Sequence, residues 1–365
     1  MTAFETLRGR RVFLTGHTGF KGAWLTVWLH RLGAQVHGYS LFPPPTDPSV
    51  YGLARTGELT AGETAGDLRD RPRLRDSLRA CRPDVVLHLA AQPLVLEAYR
   101  RPFETFDVNV MGTASLLEAV HELGRPCAVV CVTTDKCYEN REQVWGYRES
   151  DALGGHDPYS ASKGAAEILI AAYRRSFFDP ASLGAHGVQV ASARAGNVVG
   201  GGDWAAGRLV ADLARSLAAG RPAQIRNPRA IRPWQHVLEP LSGYLALALR
   251  MLDAPGPDWC SGWNFGPLPG GEATVAQLAD LFVRAWGEGR WEDCGLPGQP
   301  HEASTLRLCI DKAVAQLGWA PRWSLPTTLR RTADWYRRAL RGAADARALC
   351  LADIEAYAAA GDPRL

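Results

Sequence analysis

Apolar runs of strand length alternate with longer amphipathic runs in the first half of this chain. The strand-like runs cover residues 12–15, 35–39, 85–89, 128–133 and 188–193. Helix-like runs lie between them, near residues 21–32, 72–79, 106–123 and 159–178. Strands that alternate with helices form a parallel sheet with helices on both faces. The pattern therefore predicts an α/β protein built on a doubly wound parallel sheet of the Rossmann type.

A glycine-rich turn follows the first predicted strand and leads into the first helix. It reads Gly16-His-Thr-Gly-Phe-Lys-Gly22, so Gly16, Gly19 and Gly22 are each three residues apart. Glycines allow the backbone to approach a pyrophosphate, whose charge is stabilised by the free N–H groups of the helix that follows. The turn predicts a dinucleotide site; an ordinary β–α turn is the alternative. Lys21 is placed either to reach a cofactor phosphate or to lie in solvent.

The alternation ends near residue 196, where loops rich in Gly and Pro with shorter helices take over. Long chains of this kind divide into lobes of about 150 residues. We expect residues 1–195, with about 236–260, to form the dinucleotide-binding domain. Residues 196–235 and 261–345 are expected to form a smaller lobe for substrate, and residues 346–365 a C-terminal tail.

The identity of the dinucleotide depends on the end of the second strand. That strand ends in Gly38-Tyr-Ser-Leu41, without the acid that binds a ribose 2′-hydroxyl and without a nearby Arg for a 2′-phosphate. The sequence favours NAD as cofactor. Asp67 follows the third strand and is placed to reach the adenine end, although an acid at a helix N-terminus is an equally good interpretation.

Composition excludes several classes of function. The net charge of +3 is close to neutral, and the arginines between residues 69 and 82 have no interleaved aromatics, which favours a solvated face over nucleic-acid binding. No apolar run reaches the ~18 residues of a membrane span, and no signal pattern opens the chain, so we expect a cytoplasmic protein. The eight cysteines lack Cys-x-x-Cys spacing and the nine histidines lack ligand spacing, which predicts reduced cysteines and no metal site.

Tyr159 and Lys163 are the strongest candidates for chemistry. The chain has only four lysines among its 41 basic residues, and Lys163 follows Tyr159 by four positions, which places both side chains on one face of a helix. A neighbouring ammonium favours the phenolate, so we expect it to lower the pKa of Tyr159 and make it a base for alcohol oxidation. Thr134, just past the fifth strand, can hydrogen-bond the same hydroxyl, or can cap a turn.

Asp135 and Lys136 come directly after Thr134, and simple alcohol oxidation needs neither. A carboxylic acid beside an amine can remove one proton and deliver another. The alternative is an exposed ion pair between sequence neighbours.

Six segments together resemble the CDP-glucose 4,6-dehydratases, a family of extended short-chain dehydrogenases/reductases. The resemblance runs from about residue 8 to about residue 340. The segments Asp135-Lys-Cys-Tyr138 and Arg226-Asn-Pro228 are specific to that family, whereas the glycine triplet and the Tyr/Lys pair occur throughout the superfamily. The segments that carry the resemblance are residues 16–22, 88–95, 134–141, 154–163, 193–204 and 226–237.

The resemblance implies a redox-neutral elimination on a nucleotide sugar. Tyr159, assisted by Thr134 and Lys163, would oxidise the C4 hydroxyl while hydride passes to NAD. Lys136 would remove the C5 proton, Asp135 would protonate the departing C6 hydroxyl, and hydride would return to C6. The product would be CDP-4-dehydro-6-deoxyglucose. Related dehydratases have Glu where Lys136 stands, and a lysine acts as base only if burial or a nearby cation lowers its pKa.

The resemblance also implies which residues bind the two ligands. Besides the three glycines, Lys21, Tyr159 and Lys163, the cofactor would contact Thr18, Phe20, Asp67, Leu68, Leu89, Ala90, Ala91, Asn109 and Thr133. The nucleotide sugar would contact Gln92, Asn197, Arg208, Arg232 and His236, with Arg232 best suited to a phosphate.

Two departures from the family pattern lie beside the expected substrate pocket. Leu96-Glu97 stands where a basic residue is expected, and Gly207 stands where Asp is expected. They leave the exact sugar and nucleotide open. An epimerase of the same fold, which has no use for Asp135 and Lys136, is one alternative function; a non-catalytic scaffold that binds NAD or a nucleotide sugar is another.

Association is predicted from two of the helices. The runs at residues 106–123 and 159–178 carry more apolar residues than one sheet face can bury, and the resembling enzymes pair through these helices. We expect at least a symmetric homodimer. The apolar residues that carry this prediction are Ala165, Ala166, Ile168, Leu169, Ala171 and Ala172.

Overall fold

The computed structural model describes residues 6–268, 270–295, 306–342 and 345–361. Its strands are β1 (Arg11–Thr15), β2 (Gln35–Ser40), β3 (Gly62–Ala65), β4 (Val85–His88), β5 (Cys127–Val132), β6 (Val188–Ala195), β7 (Val198–Val199), β8 (Ala223–Ile225), β9 (Ile231–Arg232), β10 (Gln235–His236), β11 (Gly262–Phe265), β12 (Ala273–Thr274) and β13 (Trp291–Asp293). Its α-helices are α1 (Phe20–Arg31), α2 (Val50–Leu53), α3 (Arg71–Cys81), α4 (Val95–Arg100), α5 (Pro102–Phe106), α6 (Gly112–Leu123), α7 (Pro158–Ser176), α8 (Leu183–His186), α9 (Leu209–Ala218), α10 (Leu238–Asp253), α11 (Val275–Trp286), α12 (Leu325–Leu340) and α13 (Ala346–Ala359). Within these ranges no helix combines the length and apolarity that crossing a membrane requires.

A parallel sheet forms the centre of the molecule. In the described residues it has seven strands in the order β11-β6-β5-β4-β1-β2-β3. Strand β1 pairs in parallel with β2 on one side and β4 on the other, so that Leu14 lies between Gly38 and Leu87. The strand order reverses direction beside β1, which places the ligand crevice beyond its carboxyl end. The predicted doubly wound fold is confirmed.

Helices cover both faces of the sheet because successive strand residues point to opposite sides. Val12 and Leu14 belong to one core cluster, which includes the buried residues of α1 and α10. Phe13, between them, belongs to the other cluster, which is shared with α3, α6 and α7. Because strand residues are buried on both faces of the sheet, the strands have continuous apolar sequences.

The residues after β6 add short elements to this sheet. Small strand pairs, β7 with β10, β9 with β12 and β8 with β13, lie among α9, α11 and α12. Strand β11 pairs with β6 and so extends the central sheet, although it lies within the range expected for the substrate lobe. The domain limits given above stay a prediction.

The C-terminal helix α13 packs on α1 and is fixed by a buried acid. The rings of Trp28 and Tyr357 meet edge to face with centroids 5.8 Å apart. Glu239 on α10 is fully buried, accepts the Tyr357 hydroxyl at 2.5 Å and accepts the backbone N–H of Trp323 at 2.8 Å. Burial raises the pKa of Glu239 to about 7. The acid thus joins three separate parts of the chain.

The raised pKa of Glu239 predicts a pH dependence of stability. The folded state favours the neutral carboxyl, so its contribution is fully present below the pKa of an unfolded Glu and is lost as pH rises through about 7. Relative to Glu239→Gln, the parent should lose about 3 kcal/mol of unfolding free energy between pH 4 and pH 8. Urea unfolding followed by tryptophan fluorescence measures this. Glu355→Gln, an exposed acid on α13, is the control, and parallel pH profiles for Glu239→Gln and the parent would contradict the assignment.

Candidate active site

The glycine turn after β1 packs too closely for any side chain. Gly16 has φ +76°, and a Cβ at Gly16 would lie 2.7 Å from the amide nitrogen of Ala90. A Cβ at Gly22 would overlap the carbonyl oxygen of Gly16. Helix α1 begins just after Gly19, which supplies no side-chain cap, so its first N–H groups are free to bind an anion. The turn therefore has the shape and polarity that a pyrophosphate requires.

The expected adenine end of the site shows two features. The amide of Thr18 donates to the Ser40 hydroxyl at 3.4 Å, which fixes the glycine turn to the end of β2. Asp67 follows β3, and Arg69 donates to its carboxylate at 2.9 and 2.6 Å. These hydrogen bonds from Arg69 hold the pKa of Asp67 below its usual range. Leu68 is buried in the core. Adenine binding by Asp67 stays a prediction.

A hydrogen-bonded chain connects the loop after β4 to α7. Leu89, Ala90 and Ala91 line the start of this loop as partly buried residues. Asn109, in a π-helical turn, accepts the amide of Gln92 at 2.8 Å and donates to the Ser162 hydroxyl at 2.9 Å. Ser162 donates in turn to the carbonyl of Tyr159 at 2.7 Å.

Ser162 is not among the predicted site residues. Ser162 follows Tyr159 by three residues on the same helix, and a serine hydroxyl in that position can bond back to the preceding turn. This spacing is the signal that could have identified it. The Gln92 side chain hydrogen-bonds to Thr105 and to the backbone of Leu94. Its predicted contact with substrate therefore requires that these hydrogen bonds be replaced by bonds to the substrate.

Tyr159 and Lys163 lie on the first two turns of α7, which Asp157 caps by accepting the amide of Ser160 at 3.0 Å. Both side chains are buried. Burial lowers the pKa of Lys163 to about 8, against the opposing charge of Glu167. Burial raises the pKa of Tyr159 to about 12, and a hydrogen bond with Thr134 only partly offsets this rise. In the protein alone the pKa of Tyr159 thus shifts in the direction opposite to the one expected from Lys163, because desolvation of the phenolate outweighs the hydrogen bond with Thr134 and the charge of Arg208.

Thr134, Asp135 and Lys136 form a tight turn directly after β5. The Thr134 hydroxyl donates to Asp135 Oδ1 at 3.0 Å, while Asp135 Oδ2 is buried with no hydrogen-bond partner among the described residues. Burial raises the pKa of Asp135, and the Lys136 charge opposes that rise. Lys136 is only partly buried. The turn thus presents a buried carboxyl with a raised pKa beside an amine.

Cations gather around this carboxyl. The charges of Lys136, Arg232 and Lys21 all act to lower the pKa of Asp135. Lys21 is partly buried, and its Nζ lies 3.4 Å from the Tyr244 hydroxyl. Desolvation and the nearby charges of Arg208 and Lys163 lower its pKa to about 8. This cluster is suited to an anionic substrate.

The remaining predicted substrate residues are differently placed. Asn197 has a buried amide nitrogen without a partner among the described residues, so it is available to a ligand. His236 is fully buried, with ring centroids 5.8 Å from Trp24 and 4.8 Å from Trp323. Burial lowers the pKa of His236 to about 3. Its role as a substrate ligand stays a prediction.

The fold and this residue set define a short-chain dehydrogenase/reductase of the extended type. Solved structures share the architecture. A UDP-glucose 4-epimerase from Stenotrophomonas maltophila, with bound NAD and formylated UDP-arabinopyranose, aligns with a TM-score of 0.76 at 23% identity, over 92% of this chain and 100% of that one. MoeE5 in complex with UDP-glucose and NAD aligns with a TM-score of 0.74 at 25% identity, over 90% of this chain and 99% of that one.

Sequence comparison narrows the class. The profile of the GDP-mannose 4,6 dehydratase family matches residues 13–252. A CDP-glucose 4,6-dehydratase from Salmonella typhimurium is 51% identical over 336 residues, which are 92% of each chain. A dTDP-glucose 4,6-dehydratase from Streptomyces antibioticus is 31% identical over 74% of this chain and 75% of that one. The chain therefore belongs to the family of nucleotide-sugar 4,6-dehydratases.

The space beside Asp135 can be tested by filling it. A Cβ at Gly196 would lie 2.7 Å from Asp135 Oδ2 and 3.2 Å from Pro233 Cγ. Gly196→Ala should displace the carboxyl and lower kcat of the dehydratase reaction by at least ~10-fold while NAD binding is kept. Steady-state kinetics and a cofactor titration measure the two effects. Gly184→Ala, where no described atom lies within 4 Å of the new methyl, is the control. Equal kcat values for Gly196→Ala and the control would show that this space is not used.

Proposed function

We propose that this chain is an NAD-dependent CDP-glucose 4,6-dehydratase of the cytoplasm, which converts CDP-D-glucose into CDP-4-dehydro-6-deoxy-D-glucose and water. The observation that carries the proposal is the buried Asp135 carboxyl, with one oxygen unpartnered among the described residues. Its turn packs against α7, which carries Tyr159 and Lys163, and its charge acts on Tyr159. An acid of this kind serves an elimination and has no role in a simple oxidation. The 51% identity to the Salmonella CDP-glucose enzyme supports the choice of nucleotide.

NAD fits the residues that are present, because the Gly16 and Gly22 positions form a cradle that a Cβ would fill. The predicted contacts at Thr18, Phe20 and Lys21 lie in the same turn. When bound, NAD supplies the acceptor for the C4 hydrogen of the sugar and returns that hydrogen to C6. The residues of the chain orient the sugar and move its protons.

Tyr159 accepts the proton of the C4 hydroxyl in the first step. The hydrogen bond with Thr134 and the charge of Arg208 both stabilise the phenolate. Lys163, one turn along α7, adds a further positive charge when it is protonated. The step converts the C4 alcohol to a ketone, which makes the hydrogen at C5 acidic.

Lys136 and Asp135 then carry out the elimination. Lys136 removes the C5 proton, and Asp135 donates its proton to the C6 hydroxyl, so that the C6–O bond breaks and water leaves. Lys136 afterwards returns its proton to C5. The proton that Tyr159 took from the C4 hydroxyl replaces the one that Asp135 lost, which balances the cycle.

The alternatives explain less of the site. A 4-epimerase would use the glycine turn and the Tyr159–Lys163 pair, but it would leave the buried carboxyl of Asp135 without a purpose. A non-catalytic scaffold would not need a tyrosine and a lysine buried together on the first two turns of α7. The elimination uses all of these residues.

The substrate diphosphate is proposed to bind Arg208 and Arg232, with Gln92 and Asn197 near the sugar. Gly207, which stands in place of the expected Asp, has φ +79°, and no described atom lies within 4 Å of where a Cβ would be, so it serves to turn the backbone ahead of α9. Leu96 is exposed on α4, and Glu97 pairs with Arg100 at 3.6 Å.

The nucleotide is tested by incubation with CDP-glucose, dTDP-glucose, UDP-glucose and GDP-mannose, followed by measurement of the product mass. Loss of water should be fastest with CDP-glucose, because the chain is 51% identical to a CDP-glucose 4,6-dehydratase. No loss of water from any of the four would refute the proposal.

The division between the two half-reactions gives a sharper prediction. Asp135→Asn keeps the shape of the side chain but has no acidic proton, so oxidation should proceed while water loss slows by at least ~100-fold. Reduced nicotinamide should therefore accumulate in a single-turnover absorbance trace. Lys136→Ala should suppress exchange of the C5 proton with deuterated water and still allow oxidation.

The control is Asp353→Asn, which changes a buried acid on α13 that pairs with Arg331 at 2.9 Å. It should leave both half-reactions at the parental rate in the folded enzyme. Dehydration by Asp135→Asn at the parental rate would contradict the assignment of the acid, and normal C5 exchange by Lys136→Ala would contradict the assignment of the base.

A homodimer is the association we propose, and exposed apolar side chains support it. Phe103 on α5 is 84% exposed, Ile168 on α7 is 57% exposed and Met111 is 56% exposed. Helix α5 and the π-helical turn that contains Met111 both pack against α7, so these three side chains lie on neighbouring elements. Exposed apolar side chains grouped in this way are typical of a subunit interface.

Charge placed on this surface should separate the subunits. The double variant Phe103→Glu with Ile168→Glu should halve the mass in light scattering at micromolar concentration, because two like charges per subunit would face each other across a symmetric interface. Leu340→Glu, at an exposed apolar position at the end of α12, is the control. A dimeric mass for the double variant, or a monomeric parent, would contradict the proposed interface.

A further inference from the structure

A buried ion pair lies behind the candidate active site, and none of the proposed steps uses it. Glu167 is on α7, one turn after Lys163, and Arg194 is on β6. Arg194 Nη2 donates to Glu167 Oε2 at 2.8 Å, and both side chains are buried. Burial opposes ionisation of Glu167, but the charge and hydrogen bonds of Arg194 hold its pKa below the usual range. The pair is therefore ionised, and a charged pair inside a protein keeps a defined geometry.

The two ends of one short segment bind opposite members of this pair. We call residues 133–138 the anchored segment. It contains Thr134, Asp135 and Lys136. At its start, the Thr133 hydroxyl donates to Glu167 Oε1 at 2.5 Å. At its end, Arg194 Nη1 donates to the Tyr138 hydroxyl at 2.7 Å, and the guanidinium carbon lies 5.0 Å from the centre of the Tyr138 ring. The proposed acid and base of the elimination lie between these two attachments.

A third hydrogen bond to the same carboxylate comes from outside the segment. The Ser192 hydroxyl on β6 donates to Glu167 Oε2 at 2.7 Å. Ser192 is fully buried, as the pair is. Its hydroxyl bonds to the carboxylate rather than to the anchored segment, which makes it a matched control for the attachment at Thr133.

We propose that Glu167 and Arg194 are positioning residues, which hold the anchored segment in register with Tyr159 and Lys163. The inference rests on the proposed function, because it assigns the pair to the geometry of that reaction. The redox residues are on the same helix as Glu167, so the pair connects the group that oxidises C4 to the groups that act at C5 and C6. Displacement of a reacting group by about 1 Å lowers a rate by ~100-fold, which is enough for such an attachment to matter.

Variants that each remove one hydroxyl test the attachment without leaving an unpaired buried charge. The Tyr138 hydroxyl also donates to Asn264 Oδ1 at 2.7 Å. Tyr138→Phe removes the hydroxyl that binds Arg194, and Thr133→Val removes the hydroxyl that binds Glu167. Tyr138→Phe should slow water loss by ~10-fold in a single turnover of CDP-glucose, with oxidation of C4 and KM changed by less than ~2-fold, and Thr133→Val should slow water loss by a similar factor. Ser192→Ala should lower thermal stability by a similar amount and leave both half-reactions within ~2-fold of the parent.

A second measurement does not depend on turnover. In the NAD-loaded protein, amide hydrogen exchange of a peptide that spans the anchored segment should accelerate by ~10-fold in Tyr138→Phe and Thr133→Val, and stay at the parental rate in Ser192→Ala. If the parent fails to dehydrate CDP-glucose, the proposed function is refuted, and the exchange data still decide whether the pair holds the segment. The inference would be overturned by equal amide exchange in all three variants. It would also be overturned if oxidation and water loss fell by equal factors in Tyr138→Phe.

Discussion

The close approach of α7 to the turn after β5 is the constraint on which the rest of this site depends. Gly164 makes that approach possible, because a Cβ there would lie 2.5 Å from the Gly154 carbonyl oxygen and 3.2 Å from that of Cys137. A larger residue would push the helix away from the turn. With the helix in place, Tyr159 on α7 comes close to Asp135 in the turn after β5. Backbone packing thus determines where the reactive side chains lie.

Burial gives the site its electrostatic character. It moves the pKa of Lys163 and Lys21 down to about 8 and raises that of Asp135. All three shifts favour neutral groups, as expected when charges lose their contact with water. Two diphosphate ligands bring negative charge to the same space, which favours the ammonium forms of both lysines. The protein therefore presents a pocket whose cations are stabilised by the ligands that it is proposed to bind.

Much of the fold and several features of the site could be predicted from the sequence. Long apolar strands and the four-residue spacing of Tyr159 and Lys163 are local patterns, so the sheet and the helix that carries this pair follow directly. Strand β11 escapes prediction because four residues between loops have no periodicity of their own and become a strand only by pairing with β6. The direction of the Tyr159 shift is predicted wrongly because desolvation depends on the whole fold. Partners such as Arg69 for Asp67 and Arg194 for Glu167 depend on side-chain placement that spacing does not encode.

The central claim is that one active site oxidises C4, eliminates water across C5 and C6 and returns the same hydrogen to the sugar. The most direct test is to supply CDP-glucose carrying deuterium at C4, mixed with unlabelled substrate, and to locate the label in the product by mass spectrometry and NMR. The account predicts that deuterium moves to C6 of the same molecule, while C5 takes a proton from Lys136 that can exchange with solvent. Label that stays at C4 or is lost to solvent would contradict the account, as would label that appears in initially unlabelled molecules.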